Sequence, residues 1–293
     1  MRDDTDFTRA VAASGKTASR LRGDYRQVAD DYSIDQGWEH YSTADHALWR
    51  ALYDRQAALL ADYAAPEFTA GLARLDARDA IPDFRRTSDL LDRATGWRLL
   101  AVPGMIPERE FFDHLANRRF PVTNWLRQPA EMDYLVEPDV FHDFFGHVPL
   151  LTHPVFADYM QAYGQQGALA IAAGALEPLA RLYWYMVEFG LINTSHGLRA
   201  YGAGMLSSHG ETRYCLDSPQ PHRVGFNLER VMRTRYRIDD YQQTYFVLDS
   251  YDQLFDATAG DLTALFAKVQ ALPVLDPAQT QPDDRLFAPV RRQ

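Results

Sequence analysis

The chain has 293 residues, with 40 Asp and Glu against 30 Lys and Arg, a net charge of −10 that repels phosphate backbones and anionic lipid surfaces and argues against nucleic-acid and membrane partners. A hydrophobic content of 46% suits an ordinary globular protein, and 16 Tyr, 16 Phe and 5 Trp make its core aromatic, which bulky packing explains as well as a ring-lined pocket does. The single cysteine, Cys215, excludes an intrachain disulfide; Met1-Arg2-Asp3-Asp4 does not open a leader peptide and no long apolar run follows, so a cytoplasmic location is expected.

Residues 1–35 are polar without a sustained apolar period and read as a loosely held N-terminal arm. Ser42 or Thr43 can cap a helix in which Leu48, Leu52, Leu59 and Tyr63 share a face and which ends before Pro66. Residues 97–102 form a short apolar run before Pro103-Gly104, the pattern of a strand entering a turn. Residues 108–117 read as helical, as do 154–173, which open on a proline, and 178–191. Residues 199–201 and 245–248 suit small strands. From Pro273 the chain turns rich in Pro, Asp and Gln, so 273–293 is expected as a second arm and 36–272 as one catalytic domain. Helices do not alternate regularly with strands, which argues against a doubly wound sheet; the fold class is mainly α with minor short β strands.

The sharpest local feature is Glu137-Pro138-Asp139-Val140-Phe141-His142-Asp143-Phe144-Phe145-Gly146-His147-Val148-Pro149. Neutral imidazole is a good ligand for iron, zinc or copper, and nearby carboxylates can orient its second nitrogen. The spacing differs from the i, i+4 of the zinc-protease helix. At about 100° per residue, five α-helical steps leave two side chains roughly 140° apart. One ion could join them only at a helix end or a local irregularity, which Gly146 and Pro149 would supply. Alone, the pair is explained more simply by two hydrogen-bonded histidines.

Glu188 is the only charge in Leu182-Tyr183-Trp184-Tyr185-Met186-Val187-Glu188-Phe189-Gly190. A buried carboxylate must be protonated, paired with a cation such as Arg181 or Arg199, or bound to metal. Two histidines and one carboxylate make the facial set of non-haem Fe(II) oxygenases, with open positions for dioxygen and substrate. Zinc hydrolases use the same donors, so residue types leave both chemistries open.

These stretches, together with Val102-Pro103-Gly104-Met105-Ile106-Pro107, His114-Leu115-Ala116-Asn117-Arg118-Arg119-Phe120 and Tyr201-Gly202-Ala203-Gly204-Met205-Leu206-Ser207-Ser208, resemble the catalytic domain of the pterin-dependent aromatic amino acid hydroxylases, above all its bacterial, phenylalanine-hydroxylating members. The resemblance spans roughly residues 38–258. It implies that family's single catalytic domain and a monooxygenase that converts L-phenylalanine to L-tyrosine with Fe(II), a tetrahydropterin and O2. By position it implies His142, His147 and Glu188 as metal ligands. Phe111 matches the ring that stacks on the pterin, Gly104, Ile106 and Glu108 the loop that contacts it, and Asp143, Ala180 and Tyr183 further pterin-side positions. Arg127 matches the partner of the substrate carboxylate, and Asp139, Trp184, Phe189, Gly204 and Ser207 surround the amino-acid pocket. Without the resemblance, Phe111 and Trp184 would read as core, Arg127 as a solvated surface group and Ser207 as a partner for a backbone group.

Departures from the family pattern shape three further expectations. Asp143 stands where animal members carry glutamate, so its shorter reach calls for a water-bridged pterin contact. Leu135 replaces a threonine, leaving more of the substrate to Arg127. Ile238 falls where tyrosine-specific members are acidic, and an apolar residue there favours an unsubstituted ring. The regulatory extension and tetramer helix of animal members are not found, so a monomer is expected. The alternatives are the same chemistry on tyrosine or tryptophan, a zinc hydrolase, and a ligand-binding protein indifferent to Glu188→Ala.

Overall fold

Ser42 starts the first long helix through a capping box: its hydroxyl accepts from the Asp45 amide while the Asp45 carboxylate accepts from the Ser42 amide. The computed structural model describes residues 22–133, 135 and 137–290. In it α1 (Thr43–Tyr63) buries Trp49, Leu52, Leu59, Leu60 and Tyr63, and α2 (Pro66–Leu75) follows with proline in its first turn. α3 (Phe84–Thr95) is capped by Asp83 and ends at Gly96, whose φ of 76° turns the chain into β1 (Arg98–Val102).

β1 crosses through α4 (Glu108–Ala116) to pair in parallel with β2 (Arg119–Thr123). β2 was not expected from its Arg-Phe-Pro-Val-Thr pattern. Pro121 is tolerated because β2 is an edge strand that need not donate on its outer side. After the segment that holds the two histidines, α5 (Pro154–Ala173) packs across α4. Gly167 makes that approach possible, since a methyl there would overlap the Phe112 ring.

Residues 178–191, expected as one helix, are divided. α6 (Leu176–Tyr183) gives way to a π-helical turn over Trp184–Glu188 and then to β3 (Leu191–Thr194). The chain continues through β4 (Gly197–Ala200), α7 (Ala203–Leu206), α8 (His209–Asp217), β5 (His222–Gly225), α9 (Leu228–Arg233), β6 (Thr244–Leu248), α10 (Tyr251–Thr258) and α11 (Thr263–Ala271). A four-stranded sheet of order β4-β3-β6-β5 backs the second π-turn. The fold is mainly helical with short strands, and its core is aromatic: Trp49 lies edge-on to Phe141 and Phe144 at 5.5 and 5.9 Å.

The described parts of the two expected arms lie against the body. Residues 1–21 and 291–293 lie outside the described residues. Residues 22–35 are fastened to the body: Ile34 bridges to Ala101, the Tyr25 hydroxyl donates to the Met105 carbonyl at 3.0 Å, and His114 Nε2 meets the Asp31 carbonyl at 2.8 Å. The C-terminal segment is fastened too. Leu275 and Leu286 bridge to Thr234 and Val224, and Asp284 forms an ion pair with Arg230 at 3.1 Å, both side chains buried. Both segments are held by isolated bridges, polar bonds and scattered apolar contacts such as Ile34, Phe287 and Val290 on the core, which leave no apolar period in the sequence. Among the described residues no helix is long and apolar enough to cross a membrane.

Candidate metal centre

The five-residue spacing of the histidines is accommodated by a change of helix type. Phe141–His147 forms a π-helical turn, whose wider winding returns residues five apart towards a common face. Glu188 ends the second π-turn, closed by the Phe189 N–H donating to the Trp184 carbonyl at 3.0 Å. His147 Nε2 lies 3.2 Å from Glu188 Oε1, and His142 Nε2 lies 3.6 Å from Glu188 Oε2. One donor atom from each of the three falls within 4.8 Å of the others, a geometry that could hold a metal ion.

The protonation of His142 follows from its partner. Ser207 spends its hydroxyl hydrogen on the Ala203 carbonyl at 2.8 Å, so its oxygen accepts from His142 Nδ1 at 2.9 Å. Nδ1 therefore carries a proton, and Nε2 is the nitrogen that faces Glu188. α7 packs against the first π-turn, and Gly204 sits so close that a Cβ there would come within 3.2 Å of Glu188 Oε2 and 2.9 Å of the Phe189 ring. Burial alone would raise the Glu188 pKa, but the His147 and His142 charges outweigh it and hold the carboxyl below its usual range. Burial would likewise lower His147, and Glu188 reverses this to leave it raised. Two imidazoles whose Nε2 atoms face one carboxylate, converging from separate turns, are the donor set of a divalent iron site.

A cavity of about 320 Å³ opens beside these donors. Gly104, Ile106, Glu108, Phe111, Asp143, Ala180 and Tyr183 all line it, as do Trp184 and the three donors. Phe111 and Tyr183 meet edge-on at 5.5 Å and 78°. Asp143 Oδ2 accepts from the Thr123 N–H at 2.8 Å, and burial raises its pKa against the opposing charges of His142 and His147.

Arg127, Asp139, Phe189, Gly204 and Ser207 are not among the lining residues. Arg127 is buried, with Nε and Nη2 each 2.9 Å from the Asp139 carboxylate, so this fork is already filled. Phe189 packs on Trp184 at 4.9 Å. Ile238 does not line the cavity and is 55% exposed. A single exposed aliphatic side chain costs little, so its apolar character was no guide to its position. Tyr236, two residues earlier, lines the cavity instead, as do Phe120, Thr123 and Tyr163. Phe120 and Thr123 belong to the unexpected β2, and Tyr163 resembles any core residue of a helix; only the fold brings them in.

Residues 15–263 match the family described as biopterin-dependent aromatic amino acid hydroxylase. The chain is 56% identical over 266 residues to the phenylalanine-4-hydroxylase of Chromobacterium violaceum, covering 90% of each chain. It is 55% identical over 258 residues to that of Caulobacter vibrioides, covering 88% of each. A solved structure of the Chromobacterium violaceum phenylalanine hydroxylase with iron and phenylalanine bound is similar with a TM-score of 0.85 and 53% identity, over 94% of this chain and 99% of that one. With the donor set, the cavity and the match along most of its length in agreement, the chain belongs to the biopterin-dependent aromatic amino acid hydroxylases.

Proposed function

We propose that this protein is a phenylalanine 4-monooxygenase, converting L-phenylalanine to L-tyrosine with Fe(II), a tetrahydropterin and dioxygen. The observation that carries this reading is the meeting of His142, His147 and Glu188 beside a ring-lined cavity, in a chain 56% identical to a phenylalanine-4-hydroxylase. These three residues would hold the iron, which when bound supplies the one-electron chemistry that lets dioxygen attack an aromatic ring.

The remaining roles fall to the protein's own groups. Phe111 offers a ring to a flat pterin, and the backbone of Gly104 and Ile106 with the Glu108 side chain edges the same space. Asp143 gives that side a carboxyl group, while Ala180 and Tyr183 shape its floor. Arg127 keeps Nη1 for a substrate carboxylate once Asp139 has oriented its fork. Trp184, backed by Phe189, bounds the amino-acid side, with Gly204 and Ser207 holding the donors behind it, and the rings exclude water from the reacting atoms. With Ile238 outside the cavity, the preference for phenylalanine is supported by the relatives and the apolar lining rather than by that residue.

A catalytic unit of 36–272, clasped by the segments on either side, is taken to work as a cytoplasmic monomer. Support comes from the lone buried Cys215 and from a C-terminal segment that packs on its own chain.

The test is tyrosine formation from phenylalanine with added Fe(II), tetrahydropterin and dioxygen, which His142→Ala should abolish. Turnover without dioxygen or pterin, or retained with zinc in place of iron, would overturn the reading in favour of a hydrolase. A higher kcat/KM on tyrosine or tryptophan would move the assignment within the family.

A further inference from the structure

Trp184 and Tyr236 form one wall of the cavity, their rings 4.5 Å apart and within 17° of parallel. Trp184 also begins the turn that ends at Glu188, so a change in its pose bears on both substrate wall and donor. Stacking alone leaves such a pair free to slide. What stops it is a polar tether: the indole Nε1–H donates to Gln242 Oε1 at 3.0 Å. Gln242 is 2% exposed and is itself bonded on two further sides. Its Nε2 donates to the Arg237 carbonyl at 2.8 Å, which decides the amide orientation and leaves Oε1 to accept from the indole. Its backbone N–H donates to Glu211 Oε1 at 3.1 Å, and the same oxygen accepts from the Tyr245 hydroxyl at 2.7 Å.

We infer that Gln242, which touches neither the cavity nor the metal donors, is a positioning residue for the amino-acid substrate, acting by locking the Trp184 indole against Tyr236. A buried glutamine bonded on three sides could serve folding alone, so the distinction lies in selectivity. If it sets the wall, its loss weakens phenylalanine while leaving the pterin side, built from other elements, unaffected.

This inference rests on the phenylalanine reading above. Gln242→Leu keeps the volume and removes the acceptor. It should raise the KM for phenylalanine about tenfold, the effect of one buried hydrogen bond. The KM for tetrahydropterin should stay within about twofold. In the metal-free protein, Gln242→Leu should lose the same near-ultraviolet circular dichroism as Trp184→Phe. In a Trp184→Phe background the Gln242 change should add less than about twofold, because its route is gone. Gln242→Asn, one methylene too short to reach the indole, should reproduce the selective rise and serves if the leucine variant does not fold. Equal rises in both KM values, or a Gln242 effect undiminished without the indole, overturn the inference and leave a structural residue. A wild-type protein that makes no tyrosine would sink the phenylalanine reading itself; an active wild type matched by Gln242→Leu sinks only this one.

Discussion

Ser207 shows how a small polar side chain does its work through a neighbour. Its hydroxyl fixes the proton of His142 on Nδ1, so Ser207→Ala should leave the imidazole free to turn or change tautomer. Partners of this kind are typically worth about 10–100-fold in metal affinity. The expected result is Fe(II) binding weakened by that factor in a titration, with little change in melting temperature. Asp139 carries a heavier structural role. It is fully buried, takes both arms of the Arg127 fork, and also accepts from the Arg127 and His142 amides at 2.9 and 3.0 Å. Asp139→Ala strands a buried guanidinium and should cost about 3–5 kcal/mol in urea unfolding. A loss below about 1 kcal/mol, the range of exposed pairs, would mean that Arg127 is solvated in the free protein.

The two π-turns are the elements on which the site depends. An α-helical continuation through either segment would rotate a donor away from the ion, and in each the backbone yields so that the side chains can converge. α8 contributes through Glu211, which receives Tyr245 from β6 and the Gln242 amide from the preceding loop. Burial lifts its pKa to about 7, with Asp240 adding to the rise and the bonds from Tyr245 and Gln242 opposing it. Tyr214, Tyr241 and Cys215 also face it. Because the folded protein binds this proton more tightly than the unfolded chain, the contribution is present in full below pH 4.5 and lost as pH rises through about 7. It amounts to at most on the order of 3 kcal/mol. Glu211→Gln keeps both bonds and removes the charge, so its unfolding midpoint should change less between pH 5 and pH 8 than that of the wild type. Parallel pH profiles for the two proteins would show that Glu211 titrates normally.

The molecule as a whole is closed by its last segment. Residues 273–290 run along β5 and α9, covering Val224 and Thr234 and giving Arg230 its partner Asp284. Deleting residues 273–293 should therefore destabilise the protein by on the order of 3 kcal/mol, from the Phe287 and Val290 packing, the bridges and the Arg230–Asp284 pair lost together. Denaturant midpoints of the full and shortened chains compare this directly. An unchanged midpoint would restore the picture of a loose tail. The segment before α1 has a similar part at the opposite end of the chain order, pinning the 103–107 loop through Tyr25 and β1 through Ile34.

Much of the plan was legible beforehand where residues signal through their neighbours in sequence. The helix start at Ser42, the helix 154–173 and the strand before Pro103-Gly104 rest on local caps, prolines and apolar runs, and each stands within a few residues of its expected place. The three donors were singled out by residue type and by the family's motifs. Local pattern could not say that a five-residue gap would be closed by π-winding, that scattered bridges and side chains would hold the end segments in place, or that Tyr236 rather than Ile238 would reach the cavity. Those outcomes depend on which surfaces meet after the chain has folded. A hydrogen bond between residues far apart leaves no periodic trace along the sequence, and the direction of a loop side chain is decided by what packs against it. The chemistry was thus written in the order of residues, while the alignment of its parts was set by tertiary packing.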